Sequence, residues 1–285
     1  MNNILNYRIA YLKALTLAWQ SSEFQELLYK QSNLLDFFSN NPELFNNYKN
    51  PFKHLEVRVS KSHCMEWAPA DVQDWIGPND FIQIALPNPP KINNEIANGD
   101  ILATALADYY SIFPDFLGPL KNPDINVIDD IKTLLPNTNA AAGPAPNLIG
   151  EGSISSFGAT LIKVIALAWS NKDFKEELLV SSSNNLANSD HIGDASPIIA
   201  KYLGYKNPWN FNLQFFESSD FNYSIKEYSL PENNLIMHTG SWDEATIPNN
   251  RIVLWFPNKP TVESQMPTAL TAYNNNGPAY PFTCS

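Results

Sequence analysis

Cysteine is nearly absent from this chain: its 285 residues include two, Cys64 and Cys284. Two thiols are too few for a disulfide framework at this length. Positive charge is also scarce. Eighteen Lys and Arg stand against 29 Asp and Glu, which gives a net charge of −11 spread along the chain. A net anion attracts neither nucleic acid nor an anionic membrane surface, so neither is expected as a partner. No apolar run is long enough to span a bilayer. The opening stretch MNNILNYRIAYLKALTLAW lacks a cationic n-region, and Arg8 and Lys13 interrupt its apolar residues. It reads as a helix and not as a signal peptide, which makes a cytoplasmic protein the expectation. Ser/His/Asp nucleophile arrangements, phosphate-binding glycine loops and zinc spacings are missing too. The sequence therefore implies no cofactor, no metal and no enzyme activity of its own.

What is present is an ordinary globular composition, 44% hydrophobic and 12% aromatic, and it is written twice. LKALTLAWQSSEFQELL (12–28) recurs as IKVIALAWSNKDFKEELL (162–179), with Trp19 on Trp169 and Phe24 on Phe174. YKNPFKHLEV matches YKNPWNFNLQF, placing Tyr48, Pro51 and Phe52 on Tyr205, Pro208 and Trp209. HCMEW matches HTGSW, so His63 and Trp67 fall on His238 and Trp242. IALPNPP matches LWFPNKP, and TALADYY matches TALTAYN. Five blocks in one order mark a tandem duplication.

Each copy reads as a helical pair followed by a small antiparallel sheet, an α+β class. In the second copy Phe157, Leu161, Val164, Ile165 and Ala168 recur at helical spacing. Ser170 with Asp173, and Ser22 with Gln25 in the first copy, resemble capping boxes for the second helix of each pair. LEVRVS alternates, with Leu55, Val57 and Val59 on one face, and LQFFES is its counterpart. DFIQIALP and RIVLWFP read as strands stopped by Pro87 and Pro257, which cannot donate to a ladder. The boundaries follow: a first repeat over 1–118, a Pro/Ala/Gly-rich linker over 119–153, a second repeat over 154–270, and a flexible tail over 271–285.

The blocks IALAWSNKDFKEELLV, YLGYKNPWNFNLQFFES, LIMHTGSW and IVLWFPNKP resemble, in order, the alpha subunit of nitrile hydratases. That family holds iron or cobalt in a Cys-x-x-Cys-Ser-Cys claw, whose soft thiolates suit the metal. The corresponding strand ends here, IQIALPNPP and IVLWFPNKP, contain no cysteine. The chain is closer to a non-catalytic branch of the fold, the nitrile-hydratase-like leaders of ribosomally made, post-translationally modified peptides. The resemblance implies a long recognition leader, a short core that is chemically altered, and a bacteriocin-like product that is exported. It also implies a peptide-modifying enzyme as partner, of the cyclodehydratase or iron-dependent oxidase type.

The core would be the tail of the second copy, TALTAYNNNGPAYPFTCS, with Thr283, Cys284 and Ser285 as modification candidates. Each could attack the carbonyl before it in heterocycle formation, and Gly277, Pro278 and Pro281 keep the stretch out of a helix. Alternatively the tail docks on the fold or pairs with Cys64, which otherwise reads as a passive thiol. His63, Trp67, His238 and Trp242 recur at one offset and form a candidate pocket, or a histidine packed on an indole in each copy. Trp19 and Trp169 read as core. Asp190, His191 and Asp194 read as a solvated loop. Two other functions stay open: a structural or ligand-binding internal pseudo-dimer of degenerate hydratase domains, and an unorthodox metal-dependent hydratase. For enzyme recognition, strand edges near 54–60 and 211–217 are the candidates, because leaders commonly add a strand to a partner sheet.

Overall fold

The computed structural model describes residues 3–69, 74–93, 95–112, 154–183, 192–207, 211–230 and 235–276. The linker, Asp190, His191 and residues 277–285 lie outside these. The protein is α+β and built from tandem repeats. The first copy supplies helices α1 (Asn3–Gln20), α2 (Ser22–Tyr29), α3 (Leu34–Asn40) and α4 (Gly99–Ile112), and strands β1 (Leu55–Ala68), β2 (Asp74–Ile76), β3 (Asp80–Leu86), β4 (Lys91–Ile92) and β5 (Glu95–Ile96). The second supplies α5 (Ile154–Ser170), α6 (Lys172–Ser182), α7 (Ser196–Leu203) and α8 (Met266–Asn276), with β6 (Phe211–Glu217), β7 (Tyr223–Leu230), β8 (Leu235–Trp242) and β9 (Asn250–Pro257).

The helical stripes are the same in both copies. In α1 the buried face is Tyr7, Ala10, Tyr11, Ala14, Leu15, Ala18 and Trp19. In α5 it is Phe157, Leu161, Val164, Ile165, Ala168 and Trp169 with Thr160 among them. Both follow the i, i+3, i+4 pattern of an amphipathic helix. The helices start on single N-caps one residue away from the expected capping boxes, with Phe24 and Phe174 in the place a box gives to an acidic or amide side chain. Ser21 accepts from Phe24 N–H at 3.2 Å, and Asn171 from Phe174 N–H at 2.9 Å. Ser170 instead donates back to the Ala166 carbonyl. Neighbouring Ser and Asn are equally good caps, so composition alone does not separate them.

The sheet is mixed and not purely antiparallel. Its order is β2-β1-β9-β3-β6, with β1 parallel to β9 and β3 antiparallel to β9. Leu55, Val57 and Val59 share the buried face of β1 as the alternation requires. β3 and β9 are buried on nearly every residue, as central strands covered on one side and half-covered on the other tend to be. Their pairing centres on Ile82↔Ile252, flanked by Phe81↔Val253 and Gln83↔Arg251. Ile82 and Ile252 stand in matching places of the repeats PNDFIQIALP and PNNRIVLWFP. Each strand thus meets its own counterpart in the register of a two-fold related pair.

The chain folds as two compact units, and each is made from both copies. One comprises Met1–Ile84, Trp209–Gln214 and Asn249–Ser285; the other comprises Ala85–Pro208 and Phe215–Pro248. In the first unit the α1 indole of Trp19 donates to the carbonyl of Pro257 at 2.8 Å. In the second the α5 indole of Trp169 donates to the carbonyl of Pro87 at 2.8 Å. The helices of each copy therefore close over the strand end of the other. The linker region separates the repeats in sequence but not the compact units. β7 and β8, which the sequence reading left unassigned, form a two-stranded antiparallel sheet in the second unit.

Candidate recognition site

The sequence-derived candidates divide between the two units. His63 and Trp67 lie on β1 in the first unit, and His238 and Trp242 lie on β8 in the second. His238 Nε2 stands 3.7 Å from Glu227 across the β7–β8 pair. The rings around Trp242 are those of Tyr109, Phe221 and Tyr223, with centroids 5.0–6.1 Å away. Cys64 is a half-buried free thiol where the β1–β9 register shifts. Thr283, Cys284 and Ser285 fall outside the described residues. Among the described residues no group of three His, Cys, Asp or Glu could hold a metal ion, and no helix is long and apolar enough to cross a membrane.

Sequence alignment sets Trp242 against Trp67, but a different indole makes its bond. Trp242 Nε1 donates to the Ala105 carbonyl of α4 at 3.0 Å. Trp75 Nε1 donates to the Ala269 carbonyl of α8 at 2.8 Å. Ala105 and Ala269 are the matched alanines of TALADYY and TALTAYN, so Trp75 holds α8 as Trp242 holds α4. Trp75 was missed because β2 is three residues long and has no motif of its own.

The helix nearest the tail is firmly seated. Trp75 packs against Trp19, Trp67 and Tyr273, with ring centroids 5.7–6.1 Å apart. Tyr273, fully buried, shares a 3.2 Å hydrogen bond with the hydroxyl of Tyr11. Residues 271–276, expected in the flexible tail, belong to α8 because Tyr273 continues its apolar stripe. Nearby Asp80 is also buried. Its Oδ1 accepts from Trp255 N–H at 2.7 Å, while Oδ2 has no hydrogen-bond partner among the described residues. Burial pushes the Asp80 carboxyl well above its ordinary range, against the Trp255 hydrogen bond.

One face of the five-stranded sheet carries a row of polar side chains. Arg251 of β9 donates to Glu56 of β1 at 3.2 Å and to Gln83 of β3 at 3.1 Å; Gln83 donates to Gln214 of β6 at 3.1 Å. Arg58 also donates to Glu56, at 2.7 Å. Burial alone raises the Glu56 carboxyl, but the bonds from Asn249 and Arg251 and the nearby guanidiniums hold it below its usual range. Beside this row a cleft of about 540 Å³ opens between the end of α2 and strands β1, β3 and β9.

The edges expected to pair with a partner are partly occupied. The Asn33 side chain accepts from Val57 N–H at 3.1 Å and donates to Leu55 O at 3.4 Å, mimicking a neighbouring strand. On β6 the Phe215 N–H is taken by Ser182 Oγ at 2.8 Å. Such plugs keep a strand edge from pairing with another chain.

A family model described as "Ribosomal natural product, two-chain TOMM family" matches residues 2–117 and again residues 152–281. No curated protein and no solved structure matches.

Proposed function

The chain belongs to the two-chain TOMM family of ribosomal natural products, and from that premise we propose that it is a precursor or scaffold without catalysis of its own. Its folded repeats are what a peptide-modifying enzyme recognises, and Thr283, Cys284 and Ser285 are the substrate. The repeats act as a nitrile-hydratase-like leader that has dispensed with the metal claw. The protein works in the cytoplasm, and its product is exported. The observation that carries this reading is the family match to both copies, which extends to residue 281 at the edge of the Thr-Cys-Ser sequence.

The seating of α8 supports the same reading. A helix fixed by Tyr273 and Trp75 gives the residues after Asn276 a firm base. In a cyclodehydration the Cys284 Sγ adds to the Thr283 carbonyl carbon, a C=N bond forms between that carbon and the Cys284 nitrogen, and the carbonyl oxygen leaves with the thiol and amide protons as one water. An iron-dependent oxidase would instead take Cys284 as an iron ligand, a role suited to a thiolate. Mass spectrometry of the C-terminal peptide from the native host tests the proposal. The expected result is a loss of one water per ring, or an oxidative change, confined to residues 282–285. An unmodified tail would sink it.

A second reading concerns architecture and is compatible with the first: the duplicated chain is an internal pseudo-dimer. The order β1-β9-β3-β6, unchanged when the copies are exchanged, and the pairing of Ile82 with Ile252 favour it.

A further inference from the structure

The α2–sheet cleft has a charge opposite to that of the protein. Four cations line it: Lys30 at the end of α2, Arg58 and Lys61 on or beside the β1 row, and Arg251 on β9. Two carboxylates oppose them. Glu56 is paired with both guanidiniums, at 2.7 and 3.2 Å, and Arg58 also donates through Nε to the Ser32 carbonyl at 2.6 Å. Glu26 stands 3.6 Å from Lys61, and both side chains are more than half exposed, a loose pair of little energetic weight. The Lys61 ammonium also sits 5.9 Å over the Tyr29 ring, and Lys30 has no ion pair among the described residues. A cationic concavity on a chain of net charge −11 concentrates potential of one sign and draws in anionic groups.

Shape and edge chemistry narrow the occupant. The cleft is as large as those that hold small ligands or several peptide residues. Phe81 and Val253, both nearly buried, give it an apolar floor beside the cations. A small inorganic anion would fill only part of a cleft of this size. Asn33 already takes the main-chain groups of Val57 and Leu55, so a segment lying here binds through side chains and not by adding a strand at those residues.

We propose that this cleft is the docking site for an extended acidic segment of the modifying enzyme, with carboxylates paired to Lys30, Lys61 and Arg58 and apolar side chains laid on Phe81 and Val253. The inference rests on the proposed function and gives it a surface and a chemistry.

The test has two arms on the full chain. In the first, a fluorescein-labelled peptide of alternating Glu and Leu is titrated by anisotropy at low salt. Lys30→Glu with Lys61→Glu should weaken binding by about tenfold or more, because two attractive charges become repulsive. The matching Gln–Leu peptide should not bind. Equal binding by the Gln–Leu peptide, unchanged affinity in the double variant, or inorganic phosphate binding as tightly as the peptide would each overturn the proposal. Circular dichroism and the melting temperature confirm folding, and Lys30→Gln with Lys61→Gln should give an intermediate loss. In the second arm each form is co-expressed with the native modification machinery and the tail mass is read. A modified wild type with a tail at least tenfold less modified in the Glu variant is expected. Equal modification of both would remove the cleft proposal and leave the proposed function standing; an unmodified wild type would remove both.

Discussion

In the first compact unit Trp19 donates to the Pro257 carbonyl, and in the second Trp169 donates to that of Pro87, both at 2.8 Å. A second indole in each unit, Trp75 or Trp242, fastens a helix of the other copy by the carbonyl of Ala269 or Ala105. The filling between these shared bonds differs. Where the first unit buries Tyr7 and Tyr11, the second buries Phe157 and Leu161. The shared bonds all end on backbone oxygens, which no substitution removes. Side chains around them can therefore drift while the frame persists. The contrast suggests that the frame carries stability in both units, and that the polar filling of the first is a separate, smaller contribution.

The largest effect should come from the frame itself. Trp19→Ala and Trp169→Ala each remove a buried indole and orphan a proline carbonyl. A cost of about 3–5 kcal/mol is expected for each, and about 1–3 kcal/mol for the corresponding Trp→Phe, where the unpaired carbonyl dominates. Urea unfolding of the four variants would measure this. If one of the alanine variants cost under about 1 kcal/mol, the equivalence of the two units would fail.

A pH effect separates the copies next. Asp80 and Asn250 hold matching places in PNDFIQIALP and PNNRIVLWFP, and both are buried. Because the folded-state value of Asp80 is raised, the folded protein holds a proton that the unfolded chain releases. Stability should therefore fall as pH rises from near 3.8 toward the raised folded value. Asp80→Asn copies the second repeat and keeps an acceptor for Trp255 N–H. It should flatten that fall and raise the melting temperature at neutral pH relative to wild type. A variant less stable than wild type at pH 7 would show that the charge is compensated.

Much of this frame could be read from sequence, because periodicity and local repeats express it. The stripe of α5, the alternation of Leu55, Val57 and Val59, and the stop prolines all appear in short windows. The exchange of strand ends between copies does not. Trp19 and Pro257 are far apart in the chain, and nothing local distinguishes pairing with Pro257 from pairing with Pro87. The parallel β1–β9 pair was missed for the same reason. The cleft was equally hidden: Lys30, Arg58, Lys61 and Arg251 come from separate segments, and only the β1–β9 register sets Glu56 beside Arg251. Trp75 lacked a motif, and the last turns of α8, residues 271–276, were taken for tail because the Asn-rich end resembles a loop.

The smallest effect tests the filling of the first unit. Tyr11 and Tyr273 share one hydrogen bond at 3.2 Å, deep in the core, and burial pushes both phenols well above their ordinary range, so both stay protonated. Tyr11→Phe removes one hydroxyl and leaves the other buried with one partner fewer. About 0.5–1.5 kcal/mol should be lost. Tyr11→Phe with Tyr273→Phe removes both hydroxyls and should cost less than the sum of the single changes, because no polar group is then stranded. Tyr109→Phe, at the place in α4 matching Tyr273, completes the comparison. Leu161 stands in the place of Tyr11 and carries no hydroxyl to share, so no hydrogen-bond coupling is expected between Tyr109→Phe and a change at Leu161. Double-mutant cycles by urea unfolding read the two couplings directly. Coupling of equal size in both would mean that the phenol pair adds nothing to the seating of α8, and that the shared indole and backbone bonds account for it alone.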